Sequence, residues 1–190
     1  MTDNDTPFVE AVRGGSVRSF SIIVDRHRDR AMTLAVRLLG DRAEAEEAVQ
    51  DAFLKAFRAI AGFRGDARFS TWFYRILYNT CMTRLRGSAR PAMEELPGNG
   101  ASCAALPDEP GVHERLESEE VRRVLMDELA RLPSGYCAAL TLLYVQELKY
   151  NEIADVLRLP LGTVKTNIFR GRELLRMRVL QRIGEEVIVR

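Results

Sequence analysis

Histidine, cysteine and long apolar runs are scarce in this sequence of 190 residues. It has two histidines and three cysteines, and Cys81, Cys103 and Cys137 form no CxxC pair. We therefore expect neither a zinc or other metal site, nor a disulfide framework, nor a bound cofactor. No apolar run approaches the roughly 18 residues of a membrane span, and the N-terminus MTDNDTPF lacks the order of a signal peptide. A cytoplasmic location without stable membrane insertion is the expectation.

Net charge is also nearly absent, at +1, but its distribution is uneven. Residues 1–86 carry 14 basic and 11 acidic side chains, a net charge of +3, and residues 161–190 carry 7 and 3, a net charge of +4. Residues 87–120 carry 2 and 8, a net charge of −6. Two mildly basic blocks therefore flank an acidic connector, and a basic surface is a prerequisite for contacts with phosphates.

Proline is sparse outside one segment. Four of the seven prolines fall between Gly87 and Gly111, where the apolar residues keep no sustained period. This composition is typical of a flexible linker. We predict two domains, residues 1–86 and 113–190, joined by a flexible acidic linker over residues 87–112.

Helical periodicity dominates both domains, and strand-like alternation of useful length is missing, so we predict an all-α fold. In the N-terminal domain a helix over residues 17–39 should end at Gly40. The spacing of Asp41 and Glu44 fits a capping box at the start of the next helix, and Ser70 or Thr71 is expected to cap another to about residue 86. In the C-terminal domain we expect helices over about residues 113–132, 134–145, 150–157 and 161–183.

The segment KYNEIADVLRLPLGTVKTNIFRGRELLR has the pattern of a helix-turn-helix, with Thr163 as a cap of its second helix. At about 100° per residue, that helix turns one face to the core, made of Val164, Ile168, Gly171 and Leu175. The opposite face consists of Thr166, Phe169, Arg170 and Glu173, flanked by Lys165 and Arg172. In a major groove the phenylalanine can touch a thymine methyl while basic side chains reach bases or phosphates. The alternative is a solvated face with one stray phenylalanine.

A second motif, FRGDARFSTWFYRILYN, holds six of the fourteen aromatic residues, interleaved with arginines. Helical spacing puts Arg75 and Asn79 on a polar stripe beside Trp72 and Tyr78. Single-stranded DNA is bound by stacking bases on such rings, at about 1–3 kcal/mol per base, within a basic track. A loop of this composition can also enclose a base that has left the stack. The alternative is that the rings are mostly core, as we expect for Phe73.

Taken together, three stretches resemble bacterial RNA polymerase sigma factors of the extracytoplasmic-function group, which is group 4 of the sigma-70 family. They are GDRAEAEEAVQDAFLKAFRAI, FRGDARFSTWFYRILYNTCMTRLR and LKYNEIADVLRLPLGTVKTNIFRGRELLR. The resemblance covers about residues 8–86 and 115–182. It implies a promoter-specificity subunit without enzymatic activity. The first domain would be sigma region 2, which docks on the β′ clamp helices and melts the −10 element. The second would be region 4, which reads the −35 element and contacts the β flap.

The resemblance assigns three sets of residues by position. Core polymerase is expected to contact an acidic helix through Glu47, Gln50, Asp51 and Phe53. The −10 element is expected to contact a loop that holds a flipped base, and the helix after it, through Phe63, Arg64, Gly65, Asp66, Arg68, Phe69, Trp72, Arg75 and Asn79. The −35 major groove is expected to contact Thr163, Lys165, Thr166, Phe169, Arg170 and Arg172. Arg68 and Tyr78 occupy positions that vary in the family, so the promoter preference does not carry over.

Two other functional classes compete with this interpretation. A stand-alone helix-turn-helix regulator would bind palindromic duplex DNA as a dimer. An enzyme would need chemistry from the acidic cluster Glu44, Glu46, Glu47 and Asp51, which has no histidine near it in sequence. The resemblance also implies an anti-sigma factor as a partner, because family members are often held by one that clamps both domains. The flexible linker would permit that closure.

Overall fold

The computed structural model describes residues 5–87 and 119–188. Over these ranges the chain forms eight α-helices, and the part that the structure describes contains no strand, so the predicted all-α fold is confirmed. A short 3-10 turn, Ile60–Gly62, follows the third helix. The predicted linker, and the start of the helix predicted from residue 113, lie outside the described residues. The helices are α1 (Thr6–Arg13), α2 (Val17–Leu39), α3 (Arg42–Ala59), α4 (Phe69–Gly87), α5 (Glu119–Ala130), α6 (Ser134–Tyr144), α7 (Tyr150–Leu157) and α8 (Leu161–Ile188).

Local capping chemistry sets the helix ends of the N-terminal domain. Gly40 adopts the left-handed region at φ 71° and ends α2, and the Asp41 carboxylate accepts a 2.9 Å hydrogen bond from the backbone N–H of Glu44 at the start of α3. The expected cap of α4 is wrong. The carbonyl of Arg68 already accepts the N–H of Trp72 at 3.1 Å, so the helix begins earlier and Thr71 lies inside its first turn.

The core of the N-terminal domain is built from small residues on α3 and rings on α4. Buried alanines along α3 (Ala45, Ala48, Ala52 and Ala56) let its backbone approach α2 and α4. Phe53 and Phe73 stack with ring centroids 4.5 Å apart, and Phe69 stacks on Phe73 at 6.1 Å. This packing fixes the direction of α4, which carries much of the second motif.

In the C-terminal domain α6 is the central helix, with its residues from Cys137 to Leu142 buried. Gly171 of α8 packs directly on it, because a Cβ atom there would lie 3.1 Å from Leu140 Cδ1 and 3.2 Å from Tyr136 Cβ. The far part of α8 is tied to α5, where Arg182 donates to the Glu128 carboxylate at 2.8 Å. The long helix is therefore held at two places along its length.

The two groups of helices pack against each other, with α2 against α6 and α4 against α7. Gln146 donates from Nε2 to the carbonyl oxygen of Arg30 at 2.8 Å. Arg37 donates to Thr141 Oγ1 at 3.4 Å and also to the sulfur of Met126. The structure thus brings the two predicted domains into one body, while the boundaries of the domains at residues 86 and 113 stay a prediction.

Candidate nucleic-acid interface

The Phe63–Phe69 loop connects the 3-10 turn to α4. Gly65 has φ 80°, in the left-handed region that favours glycine, and this reverses the chain at the tip of the loop. The ring of Phe63 packs 5.1 Å from that of Trp72 and 6.1 Å from that of Phe69, measured between centroids. The aromatic side chains therefore form the base of the loop and leave its polar residues at the rim.

At that rim Arg64 and Asp66 form an exposed ion pair of 3.1 Å, which can exchange with water or phosphate at little cost. Arg75 is exposed, whereas Phe63, Arg68, Trp72 and Asn79 are half-buried. Phe69 is fully buried and stacks on Phe73, so the expectation that it contacts DNA is corrected: it supports the loop from within the core.

A groove of about 430 Å³ opens between the loop and α4. It is lined by Phe63, Trp72 and Arg75 together with the loop backbone, and Asp155 of α7 stands on its other side. Its volume falls in the range of clefts that bind small ligands. The ring and guanidinium lining matches the two parts of a nucleotide, a flat base and a negative phosphate.

The helix-turn-helix is formed by α7 and α8. Arg158 ends α7 in the left-handed region at φ 55°, and α8 begins at Leu161. Thr163 lies inside the first turn of α8, so its expected role as the cap is wrong, although it remains half-buried beside the other predicted DNA contacts. The predicted bounds of α7 are confirmed, and α8 extends beyond its predicted end to Ile188.

The two faces of α8 follow the helical arithmetic. Val164 and Ile168 are buried, whereas Phe169 is 47% exposed and Arg170 is exposed beside it. Thr166 and Lys165 are half-buried, and Thr166 donates its hydroxyl hydrogen to the carbonyl of Gly162 at 2.9 Å. An exposed ring next to a guanidinium therefore stands on the outer face of this helix.

Arg172 faces a different neighbour from the other residues predicted at the −35 element. Its guanidinium lies 5.4 Å from the centroid of the Tyr144 ring on α6, and its Nε is buried. A cation over an aromatic face is stabilised by the ring quadrupole. Arg172 therefore packs α8 against α6 in this structure.

The predicted polymerase surface lies on α3. Glu47 and Gln50 are exposed, and Arg84 of α4 bonds both acidic side chains, Glu47 at 2.9 Å and Asp51 at 2.5 Å. These ion pairs raise the pKa of the Arg84 guanidinium and hold both carboxylates toward the same side of α3. The four-residue spacing from Glu47 to Asp51 explains why one guanidinium can reach both.

Phe53 does not belong to that surface. It is 7% exposed and its ring stacks on Phe73, so the expectation that it contacts polymerase is corrected. Leu54 and Phe57 are exposed instead, by 53% and 39%. They lie four and seven residues after Gln50, on the same face of the helix. The spacing of Leu54 and Phe57 from Gln50 is visible in the sequence and indicates that both lie on this face.

The described ranges contain neither a candidate metal site nor a candidate membrane span. No group of His, Cys, Asp and Glu side chains there is arranged to hold a metal ion. None of the helices in those ranges is both long and apolar enough to cross a bilayer.

A helix-turn-helix in one helical domain, packed against a second helical domain that carries a ring-and-arginine loop, is typical of a DNA-binding protein. The chain matches Sigma-70 region 2 over residues 23–90 and Sigma-70, region 4 over residues 122–175. It is 35% identical over 179 residues to the RNA polymerase sigma-H factor of Pseudomonas aeruginosa, covering 91% of this chain and 92% of that one. It is 34% identical over 176 residues to the ECF RNA polymerase sigma-E factor of Escherichia coli K12, covering 90% and 92%.

Solved structures agree in fold. CnrH in complex with the cytosolic domain of CnrY has a TM-score of 0.63 at 25% identity, covering 91% of this chain and 95% of that one. The sigma factor RpoE of Bartonella quintana, solved with the anti-sigma factor NepR, has a TM-score of 0.64 at 21% identity, covering 87% and 98%. The chain belongs to the sigma-70 family of bacterial RNA polymerase sigma factors, in the extracytoplasmic-function group. Its function is that of a sigma factor in transcription initiation, which decides against the stand-alone regulator.

Proposed function

We propose that this sigma factor contacts a promoter at two places through the surfaces described above. The outer face of α8 enters the major groove of the −35 element. The Phe63–Phe69 loop and the exposed side of α4 hold the opened non-template strand of the −10 element. The protein supplies binding and no catalytic chemistry of its own, since nucleotide addition belongs to the polymerase that it directs.

The observation that carries this proposal is the outer face of α8. Val164, Ile168 and Gly171 are packed against the rest of the domain, so the helix cannot rotate to hide Phe169 without losing that packing. An exposed ring beside Arg170 is costly in water and useful in a groove, where apolar contact and bidentate hydrogen bonds each discriminate between bases. Arg170 would supply about 1–3 kcal/mol of that discrimination.

The experiment uses polymerase holoenzyme and compares promoters with and without the −35 element. Phe169→Ala and Arg170→Ala should each weaken promoter binding by about 1–3 kcal/mol, or roughly fivefold to 150-fold, and only when the −35 element is present. Met177→Ala is the matched control, because Met177 is 60% exposed on the same helix beyond the predicted DNA contacts. If Phe169→Ala and Arg170→Ala weaken binding to both promoters equally, or abolish polymerase binding, α8 does not read the −35 element.

The polymerase contact is proposed for α3. Glu47, Gln50 and Asp51 form a polar rim, and the exposed Leu54 and Phe57 supply apolar area next to it. A helix of the β′ clamp, laid along this face, would cover the apolar side chains and meet the acidic ones with basic residues. The β flap is proposed to contact the C-terminal domain, as the family resemblance implies.

Control by an anti-sigma factor completes the proposal. CnrH, which shares the fold of this chain, is bound to the cytosolic domain of another protein. A partner that holds both domains would cover the −10 and −35 surfaces at the same time. Copurification of the protein from its native cells without a bound inhibitor, with equal activity in the presence and absence of stress, would contradict this part of the proposal.

A further inference from the structure

The first helix of the helix-turn-helix, α7, packs against the −10 surface of the other domain. The Glu152 carboxylate, 12% exposed, lies 3.4 Å from Nε of Arg68, which is 27% exposed. The same oxygen accepts a hydrogen bond from the Thr71 hydroxyl at 3.3 Å. Arg68 and Thr71 follow the tip of the Phe63–Phe69 loop in the N-terminal domain, whereas Glu152 lies in the C-terminal domain. The contact therefore crosses the boundary between the two domains.

Glu152 is held ready for this contact by its own helix. Its second carboxylate oxygen accepts the backbone N–H of Lys149 at 2.8 Å, which caps the start of α7 from within its first turn. Because the capping bond fixes the side chain, little rotamer entropy is lost when the carboxylate meets Arg68. The contact is therefore built into the helix start and is more than a chance meeting of two flexible side chains.

The carboxylate also has the charge of the group that the loop would bind. In the proposed −10 contact Arg68 would offer its guanidinium to a DNA phosphate. Glu152 presents a negative oxygen at that same guanidinium. Asp155, one turn further along α7, lines two grooves of the loop, of about 430 and 480 Å³. The acidic edge of α7 thus occupies the approach to the basic loop from the side of the C-terminal domain.

We propose that the acidic edge of α7, centred on Glu152, is an internal competitor for the −10 strand. While Glu152 holds Arg68 and Thr71, the opened strand cannot reach the full loop, and the C-terminal domain stays packed on the N-terminal domain. The DNA strand and α7 cannot occupy the loop at the same time. Binding of DNA to the loop therefore releases the C-terminal domain. This inference rests on the proposed role of the loop in binding the −10 strand.

The test is designed around a charge change that leaves α7 intact. Glu152→Gln removes the negative charge and retains an oxygen that can accept the capping bond, since glutamine also serves in capping boxes. Glu46→Gln is the matched control, because Glu46 is an exposed acid whose partner, Arg42, lies on its own helix at 3.3 Å. Both variants change the net charge of the chain by the same amount.

The first readout is the affinity of the full chain for a labelled, short single-stranded oligothymidine. Glu152→Gln should bind about threefold to tenfold more tightly than the wild type, as expected when a partly buried ion pair no longer competes. Glu46→Gln should match the wild type. Equal affinities for all three proteins would overturn the proposal.

The second readout is the separation of the domains, measured by energy transfer between dyes on Ala43→Cys and Ala130→Cys. Both alanines are exposed, one on each domain. Cys103 is replaced by serine in this background. Burial raises the pKa of Cys81 to about 12 and raises that of Cys137 as well, so these thiols label slowly. Transfer should fall in Glu152→Gln, and it should fall in the wild type when oligothymidine is added.

The two proposals fail in different ways. If transfer is the same in the wild type and Glu152→Gln and does not respond to DNA, the competition is refuted, and binding of polymerase remains as a separate measurement. If no variant binds oligothymidine although polymerase binding is intact, the loop is not the site of the strand, which overturns both the competition and that part of the proposed function. If polymerase binding itself is missing, the proposed polymerase surface fails.

Discussion

Replacing Phe53 with alanine should destabilise the N-terminal domain rather than remove a polymerase contact. The ring is 7% exposed, stacks on Phe73 at 4.5 Å and meets Phe20 edge to face at 6.4 Å. A phenylalanine side chain buries about 150–250 Å², which at about 25 cal/mol per Å² is roughly 4–6 kcal/mol. Alanine keeps the Cβ, and measured substitutions of this kind cost about 3–5 kcal/mol. A loss of this size is a large fraction of the 5–15 kcal/mol that typically stabilises a folded protein.

The assay is urea unfolding followed by the fluorescence of Trp72, the single tryptophan of the chain. Trp72 reports on this domain because it lies 5.6 Å from Phe69, which stacks on Phe73. Leu54→Ala is the control, since the neighbouring leucine is 53% exposed and its loss should change stability by no more than about 0.5 kcal/mol. At temperatures where both variants are folded, Leu54→Ala should weaken polymerase binding and Phe53→Ala should not.

The opposite pattern would refute this reasoning. If Phe53→Ala unfolds within about 1 kcal/mol of the wild type yet binds polymerase tenfold more weakly or worse, the ring is a contact and not a core residue. Equal polymerase binding by Leu54→Ala and the wild type would remove Leu54 from the proposed surface.

Three further predictions concern opening, packing and acid stability. With Trp72→Ala, promoter thymines should no longer react with permanganate, although the variant should still bind polymerase. The reason is that a base would lose about 1–3 kcal/mol of stacking. Thymine reactivity equal to that with the wild type would contradict the role of Trp72. Gly171→Ala should have a lower melting temperature than Gly162→Ala. A Cβ at position 171 would meet α6 side chains at 3.1–3.2 Å, whereas a Cβ at position 162 would meet no atom within 4 Å. Equal melting temperatures would refute the close packing of Gly171 on α6. Burial acts to raise the pKa of Asp5, but His27 and its neighbouring arginine outweigh burial, so the pKa is lowered from 3.8. The stability that Asp5 contributes is thus present above pH 3.8 and lost as pH falls below it, and Asp5→Asn should show a shallower loss in acid unfolding curves; parallel curves would refute this.

Local signals explain the parts of the fold that the sequence predicted. Gly40 in the left-handed region and Asp41 as a cap act within four residues of themselves, so their patterns need no tertiary context. The outward face of α8 was predictable for a related reason. Its apolar residues, Val164 and Ile168, are large and lie on one side, so the helical period leaves only one way to bury them.

The errors at Phe53 and Phe69 lie on α3 and α4, where tertiary packing decides between local alternatives. Apolar residues on α3 occur on several sides, and the period alone does not choose between burying Phe53 and burying Phe57. Phe53 is the buried residue because its ring stacks on the ring of Phe73 of α4. The contact between Thr71 and Glu152 joins positions 81 residues apart and follows from no local pattern. The roles of the predicted DNA and polymerase contacts that remain exposed or half-buried stay predictions.

Burial of Arg37 opposes the packing of the two domains against each other. Burial at the domain boundary lowers the pKa of its guanidinium, and the two hydrogen bonds that it donates across that boundary go to neutral acceptors, Thr141 and the Met126 sulfur. A cation that is taken out of water and bonded only to neutral acceptors costs free energy, and this cost opposes the attraction between Arg68 and Glu152. The packed arrangement of the two domains is therefore less stable than its favourable contacts alone would make it. A ligand that favours the separated form needs correspondingly less binding free energy to open the protein.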